Sequence, residues 1–341
     1  MEENKRKKIG CFATLLIILL LLAVLVMGLA AYGYNNVLGK INRVDGTEPT
    51  LSQEEIDAIE NETDPPEEIS GEYVEDEGIL NDDNAALIEQ SDHIINILLI
   101  GQDRRPGEGR TRSDSMILCT IDTQEKTMVM TSFLRDLYVD IPDWNGRTYQ
   151  DNRLNACYAF GGMGMLDLAL QNNFGVQVDH NIEVDFSGFE EIIKIFGGVH
   201  INLTKAEAKH MAYYGVKEGP NFLNPEQALF YARIRYIDSD FGRTNRQRNV
   251  LNSLLNSVKT MNTDQMTQLV NKILPMLTTD LNRGQLFLYT VEVLPHLSDL
   301  HIRSQKIPAD GTFTDQTIDG MSVLVADMEA QRQHLQNSLL N

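Results

Sequence analysis

The sequence predicts an α/β or α+β protein with helices covering a central sheet, preceded by one N-terminal transmembrane helix. Three observations predict it. An apolar run near the N-terminus is long enough to cross a bilayer. Strand-like and helix-like segments then mix over residues 94–335 without a repeat period, which is typical of helices covering a central sheet. An acidic segment of low apolar content separates the two parts.

The apolar run extends from Ile9 to Tyr32 and contains no charged residue. At ~1.5 Å of rise per residue, a helix of this length crosses the ~30 Å hydrocarbon core. The basic residues 5–8 precede it, so the positive-inside rule predicts a cytoplasmic tail (1–8), an anchor (9–32) and an extracellular remainder in the cell membrane. The alternative is a signal peptide cleaved at the small-x-small sequence of residues 28–30 (Gly-Leu-Ala). We favour the anchor because the run is longer than a usual signal-peptide core.

Residues 33–92 are predicted to form an acidic flexible stalk, because they offer too few apolar side chains to offset the entropy of ordering. Positions 44–103 hold 19 acidic residues and no Lys or Arg. Positions 104–341 hold 28 acidic and 23 basic residues, so the net charge of -20 is mostly a property of the acidic segment. A nucleic-acid-binding protein would show a broadly basic face, and we therefore expect no nucleic-acid partner.

The remaining chain is predicted to be a domain over 93–262 with a C-terminal helical remainder of the same domain over 263–341. Continuous apolar or β-branched runs predict the strands, and longer segments predict the helices. Predicted strands are 94–100, 116–121, 128–133, 138–141, 181–186, 199–203 and 301–307. Predicted helices are 154–171, 188–196, 225–233, 245–261, 264–277, 284–294 and 321–335. Residues 122–126 read as a hairpin turn.

This order of elements is expected to bring distant charged residues to one edge of the sheet. Asp103 follows the first strand, Asp114 precedes the second and Arg135 follows the third. If the first two strands pair antiparallel, these residues and Arg112 converge. Paired carboxylates suit Mg²⁺, which prefers oxygen ligands and is often held by one or two carboxylates plus substrate phosphates. Solvated or arginine-paired acids are the alternative.

Residues 233–248 contain five Arg and no Lys, which favours planar recognition of phosphate over general attraction. Arg233 and Arg235 face the same way only in extended chain, so the helix from Pro225 is expected to end near Arg233. Arg243, Arg246 and Gln247 would share a face at the start of the next helix. The alternative is surface pairing with nearby acids at 226, 238 and 240.

The three cysteines, Cys11, Cys119 and Cys157, lack zinc-ligand spacing. We expect Cys119 and Cys157 to be buried free thiols, with a disulfide between them as the alternative.

Several segments, taken in chain order over residues 94–261, resemble the LytR–CpsA–Psr family of bacterial envelope proteins. They are Asn96–Arg104 (NILLIGQDR), Arg112–Met116 (RSDSM), Ser132–Asp136 (SFLRD), Leu154–Gly162 (LNACYAFGG), Asp185–Phe189 (DFSGF), Gly197–Val199 (GGV) and the arginine segment. Two departures are mild, because neither removes a charged group: Phe133-Leu134 before Arg135, and Arg153 before Leu154.

The resemblance implies an α/β fold, an α-β-α sandwich with a central mixed sheet. The family resemblance also implies a phosphotransferase like the polyisoprenyl-teichoic acid–peptidoglycan teichoic acid transferases. Such an enzyme moves a glycopolymer phosphate from an undecaprenyl pyrophosphate carrier to a peptidoglycan sugar hydroxyl, with Mg²⁺. It implies Asp103 and Asp114 as metal ligands and, with Arg135, as catalytic residues; Asp103 is our choice of proton acceptor. The implied pyrophosphate contacts are Arg112, Arg135, Arg233, Arg235, Arg243 and Gln247. The alternatives are a non-catalytic lipid-pyrophosphate-binding regulator and a pyrophosphate hydrolase.

Overall fold

The structure is a computed structural model that describes part of the chain. The described residues are 42–44, 51–61, 63–64, 72–74, 80, 84–102, 110–234, 237, 242, 245–246, 249–250, 253–254, 257, 269, 272–282, 284–285 and 301–339. The predicted tail and anchor lie outside them. In the part of the chain that is described, no helix combines the length and apolarity needed to span a membrane.

The chain divides into two compact units. The first comprises Met1–Asn42, Thr123–Met130 and Val184–Ser304, and the second comprises Arg43–Asp122, Thr131–Glu183 and Gln305–Asn341.

The N-terminal part of the second unit is more ordered than predicted. After the short strand β1 (Asn42–Arg43), helix α1 (Gln53–Glu60) begins with a capping box, in which Ser52 and Glu55 bond each other's backbone N–H. Its Ile56 is 2% exposed and belongs to the main hydrophobic core. A short strand, β2 (Glu72–Val74), follows. Residues 53–60 are therefore a packed helix, and the prediction of a flexible stalk is wrong there.

The sheet of the second unit is built from the predicted strands. Strand β3 (Ile94–Gln102) pairs antiparallel with β4 (Ser113–Asp122), from Ile94 opposite Asp122 to Gln102 opposite Ser113. A tight turn leads into β5 (Thr127–Phe133). Nearly every residue of β3 is buried, which explains its continuous apolar sequence. The mixed α/β class with a central sheet is thus confirmed.

Two short strands, β6 (Tyr138–Val139) and β7 (Asn152–Arg153), pair antiparallel and lead into helix α2 (Leu154–Phe174). The backbone N–H groups of Leu154 and Asn155 donate to the carbonyls of Leu137 and Arg135, at 2.8 and 3.2 Å. This fixes the helix start against the loop after β5. Helix α2 is buried on most sides, kinks at Gly161–Gly162, and ends at Gly175 in the left-handed conformation.

After β8 (His180–Asp185), the first unit continues with helix α3 (Phe186–Phe196), β9 (Val199–Leu203) and helix α4 (Lys205–His210). Strand β10 (Gly219–Leu223) pairs antiparallel with β9. Helix α5 (Pro225–Arg233) starts at a capping box of Asn224 and Gln227, with proline at its first position, and ends at Arg233 as predicted. A 3-10 turn (Leu274–Met276) and β11 (Leu277–Thr279) end the predicted helix at 264–277 early.

The C-terminal part of the chain differs from the prediction. Strand β12 (His301–Ile307) was predicted, whereas the hairpin of β13 (Phe313–Ile318) and β14 (Met321–Ala326) was not. Strand β2 adds to β13 in parallel. The predicted helix at 321–335 is wrong at its start, because helix α6 covers Met328–Leu339. Of the strands in the central sheet, β3 and β4 lie entirely within the second unit.

Candidate functional site

An irregularity at the end of the β3–β4 ladder sets the position of Asp114. The pairing steps from Gly101–Ser115 to Gln102–Ser113, which makes Asp114 the extra residue of β4. Such a bulge breaks the in–out alternation and re-aims side chains, and bulges are frequent beside active sites. Ser113 is fully buried, whereas the exposed fraction of the Asp114 side chain is 15%.

Arg135 lies against this bulge. Its Nη1 atom is 2.8 Å from Asp114 Oδ1, and the exposed side-chain fractions are 22% and 15%. The backbone carbonyl of Arg135 accepts the N–H of Asn155, which fixes the turn that carries the side chain. The expected approach of these two residues, 21 positions apart, is therefore observed. A half-buried ion pair of this kind is open to solvent, so its charges are available to a ligand.

Buried polar groups border the same strand ends. Within the described residues, the side-chain amide of Gln102, the Ser113 hydroxyl and Oδ1 of Asn155 lack a hydrogen-bond partner. Their exposed fractions are 2%, 0% and 4%. Buried polar atoms without partners are rare in folded proteins, because each forfeits its hydration. Ser113 precedes Asp114, Gln102 pairs with Ser113, and Asn155 donates its backbone N–H to the carbonyl of Arg135. Three buried polar groups of this kind so close to Asp114 and Arg135 indicate a place for a polar ligand or ordered water.

Gln102 and Asn155 were not among the predicted site residues. The available signal was their position, since Gln102 adjoins Asp103 and Asn155 stands in the Leu154–Gly162 segment. Their burial, which makes them notable, is a tertiary property.

A second set of charges lies beyond Arg135. The Nε atom of Arg135 is 3.3 Å from Oδ2 of Asp136. The other carboxylate oxygen of Asp136, Oδ1, is 3.7 Å from Nε of Arg153. Arg153 also pairs with Asp64. Charges of alternating sign therefore run from Asp114 to Asp64, and we call these five residues the charge ladder.

Arg112 and Asp103 complete the predicted cluster in the sequence. The Arg112 guanidinium donates from Nη2 to the carbonyl of Ile59 in α1, at 2.9 Å. Asp103 lies outside the described residues. The roles of both residues stay predictions.

The second predicted group of phosphate contacts belongs to the first unit. Arg233 is the last residue of α5 and is exposed. Arg235, Arg243 and Gln247 lie outside the described residues. Helix α5 ends before Ile234, whose φ and ψ angles of -54° and 126° are not helical.

Arg246, which was grouped with the phosphate-binding arginines, is buried instead. It is 1% exposed, donates to the carbonyl of Ile234 at 2.9 Å and lies 3.7 Å from Oε1 of Glu207. Beside it Tyr231 accepts a hydrogen bond from Asn249, and burial raises the pKa of Tyr231. Arg246 therefore holds the end of α5 from inside, and its placement on a ligand-facing surface is wrong.

The fit to Mg²⁺ can be tested on Asp114. Among the described residues, its side-chain hydrogen bond ends on Oδ1. The second carboxylate oxygen suits a cation that takes one or two carboxylates and fills its remaining positions with water and phosphate. No cluster of three His, Cys, Asp or Glu able to hold a metal occurs in the part of the chain described. Asp114 thus fits a Mg²⁺ site in which water and substrate phosphates supply the remaining ligands.

Cys119 and Cys157 are buried and free, which confirms the expectation of thiols over a disulfide. Burial raises the pKa of both thiols.

Comparison with known proteins places this geometry in context. The model of the LytR_cpsA_psr family matches residues 54–339. Regulatory protein MsrR of Staphylococcus aureus (strain COL) is 37% identical over 168 residues, 48% of this chain and 49% of that protein. The chain thus aligns with about half the length of such relatives.

Two further matches come from enterococci and bacilli. Polyisoprenyl-teichoic acid–peptidoglycan teichoic acid transferase TagU of Enterococcus faecalis (strain ATCC 700802 / V583) is 32% identical over 185 residues, 53% of this chain and 58% of that protein. The crystal structure of Bacillus subtilis TagT superposes with a TM-score of 0.57 at 24% identity, covering 76% of this chain and 96% of that one. This last likeness shows the fold.

Proposed function

This chain belongs to the LytR–CpsA–Psr family, and from that premise we propose that it transfers a glycopolymer phosphate from an undecaprenyl pyrophosphate carrier to a sugar hydroxyl of peptidoglycan. We further propose that residues 9–32 anchor it in the cell membrane, with the catalytic domain outside the cell. The name of the relative TagU, a teichoic acid transferase, supports the attachment of cell-wall polymers as the general task.

The observation that carries the proposal is the Asp114–Arg135 pair at the bulge. A negative and a positive group 2.8 Å apart, both partly exposed, can hold opposite sides of a cation–phosphate ligand. The buried amide of Gln102 and hydroxyl of Ser113 add hydrogen-bonding groups without a partner in the described chain. This combination fits an oxygen-rich anion better than an apolar ligand.

The proposed mechanism relies on positioning and charge neutralisation, since phosphoryl transfer needs little covalent help from a protein. Asp114, with Asp103, would hold Mg²⁺. When bound, the ion would neutralise charge that develops on the departing undecaprenyl phosphate. Arg135 would hold the diphosphate together with Arg112, Arg233, Arg235, Arg243 and Gln247. The phosphorus–oxygen bond to the carrier breaks as the acceptor hydroxyl oxygen attacks, and Asp103 would take the hydroxyl proton.

A second candidate is a regulator that binds the lipid pyrophosphate without turnover. The names of two relatives favour it: MsrR is a regulatory protein, and biofilm regulatory protein A of Streptococcus mutans is 31% identical over 243 residues.

The test is a transfer assay with lipid-linked donor and cell-wall glycan. We expect Asp114→Asn and Arg135→Met each to lower the rate about 100-fold or more, as losing one preorganised charge-stabilising group does. Asp143→Asn, at an exposed acid outside the charge ladder, is the matched control and should keep the natural rate. A phosphate ester on glycan supports transfer, free sugar phosphate indicates hydrolysis, and binding without product indicates the regulator. Natural rates in both site variants would refute the proposed site.

A further inference from the structure

We propose that Arg153 is a positioning residue that acts through Asp136 to hold Arg135 ready for phosphate. This inference rests on the proposed function, because it assigns Arg135 to ligand binding. The inference adds Asp136 and Arg153 of the charge ladder, which were not among the predicted site residues.

Asp136 is placed to transmit the effect. Its two carboxylate oxygens face two different guanidinium groups, Arg135 at 3.3 Å and Arg153 at 3.7 Å. Arg135 is therefore held by Asp136 at Nε and by Asp114 at Nη1. Contacts at two different atoms fix the plane of a guanidinium as well as its position.

Arg153 is itself buried and held by several contacts. It is 7% exposed, and its Nε and Nη2 atoms donate to the carbonyl of Ser322 at 3.0 and 2.7 Å. It also pairs with Asp64, which accepts the backbone N–H of Ser322 at 2.7 Å. Its own backbone is tied into the β6–β7 ladder. A buried arginine with this many contacts restricts the positions that the Asp136 carboxylate can take.

The consequence is preorganisation. A long side chain such as Arg135 has many rotamers, and restricting them costs free energy when a ligand binds. A rigid Asp136 restricts them before binding. Without Arg153, Asp136 would be half-buried next to one partly exposed arginine and free to follow it, so Arg135 would be less well defined.

The experiment measures binding of geranyl pyrophosphate with Mg²⁺ to the full chain in detergent by titration calorimetry, with urea unfolding of each variant in parallel. Arg153→Met removes the ion pair between Arg153 and Asp136. Asp136→Asn keeps the shape of the side chain but removes its charge, and it tests the same inference if Arg153→Met does not fold. We expect each to weaken binding about tenfold, the lower end of the loss seen when an outer partner of a binding group is removed.

The control and the double variant separate positioning from general stability. Arg332→Met removes a half-buried arginine that donates to the carbonyl of Asn173 at 2.9 Å, at the far end of α2. It should lower stability and leave affinity unchanged. In an Arg135→Met background, Asp136→Asn should have no further effect on affinity, because the residue it acts through is gone.

The outcomes are distinct. Unchanged affinity in Arg153→Met and Asp136→Asn, or losses that add fully to that of Arg135→Met, would overturn the inference and leave the proposed function standing. Failure of the natural chain to bind geranyl pyrophosphate would overturn the proposed function, and the inference with it.

Discussion

Replacing Ile56 by alanine tests whether the N-terminal segment is part of the folded domain. The substitution removes three carbons from a side chain that is 2% exposed in the main core. At ~0.8 kcal/mol per buried methylene, the transfer cost is about 2.4 kcal/mol, and the cavity left behind brings the expected loss to about 2–4 kcal/mol. Helix α1 itself should gain slightly from alanine, by less than about 0.7 kcal/mol.

The assay is urea unfolding of the full chain, followed by far-UV circular dichroism. Leu87→Ala is the matched control, since Leu87 also lies in the predicted stalk but is 49% exposed, and it should change the unfolding free energy by no more than about 0.5 kcal/mol. A flexible stalk would give the same negligible effect for both substitutions. Equal midpoints for Ile56→Ala and the natural chain would therefore refute the packing of α1 described above.

Two further predictions concern backbone geometry and ionisation. Gly175→Ala should destabilise the fold more than Gly215→Ala. Both glycines have left-handed φ angles (72° and 70°), but only a Cβ atom added at Gly175 would meet a backbone atom, Ala86 O at 2.1 Å. By urea unfolding we expect losses of about 1 kcal/mol for Gly215→Ala and at least about 2 kcal/mol for Gly175→Ala, and equal losses would contradict the contact. The raised pKa values of Cys119 and Cys157 mean that the folded chain keeps thiols neutral while the unfolded chain ionises them near 9.0. The contribution of the two neutral thiols to stability should therefore be fully present below that pH and fall as pH rises above it, and the fall should shrink in Cys119→Ala plus Cys157→Ala. Iodoacetamide labelling of Cys119 and Cys157 at pH 8, located by peptide mass spectrometry, should need urea, and labelling of either residue in the folded chain would contradict burial.

The part of the sheet that carries the site could be predicted because its signals are local. Nine residues of β3 are nearly all apolar and buried, so composition alone indicates a strand buried on both faces. The turn before β5 follows from turn residues within a few positions, and the end of α5 at Arg233 was predicted from the spacing of Arg233 and Arg235. From these elements an antiparallel connection predicts the approach of Asp114 to Arg135, which the structure shows at 2.8 Å.

The misplaced C-terminal helix shows where local signals fail. The segment Met321–Ala326 is short and apolar, and such a run is compatible with a buried helix or a strand. Its pairing with β13 decides for strand, and that pairing depends on residues that were not recognised as a strand themselves. Likewise, α1 lies in the acidic segment that predicted a flexible stalk, yet its Ile56 packs in a core formed by residues far along the chain.

Local pattern and order along the chain were enough to predict the residue types of the site, the strands that carry them and the family. The bulge at Asp114, the burial of Arg246, the exposure of Arg233 and the contact of Arg153 with Asp136 became visible only in the fold. These features depend on burial, register and ion-pair distances, which are set by partners tens to hundreds of positions away, so no local pattern encodes them.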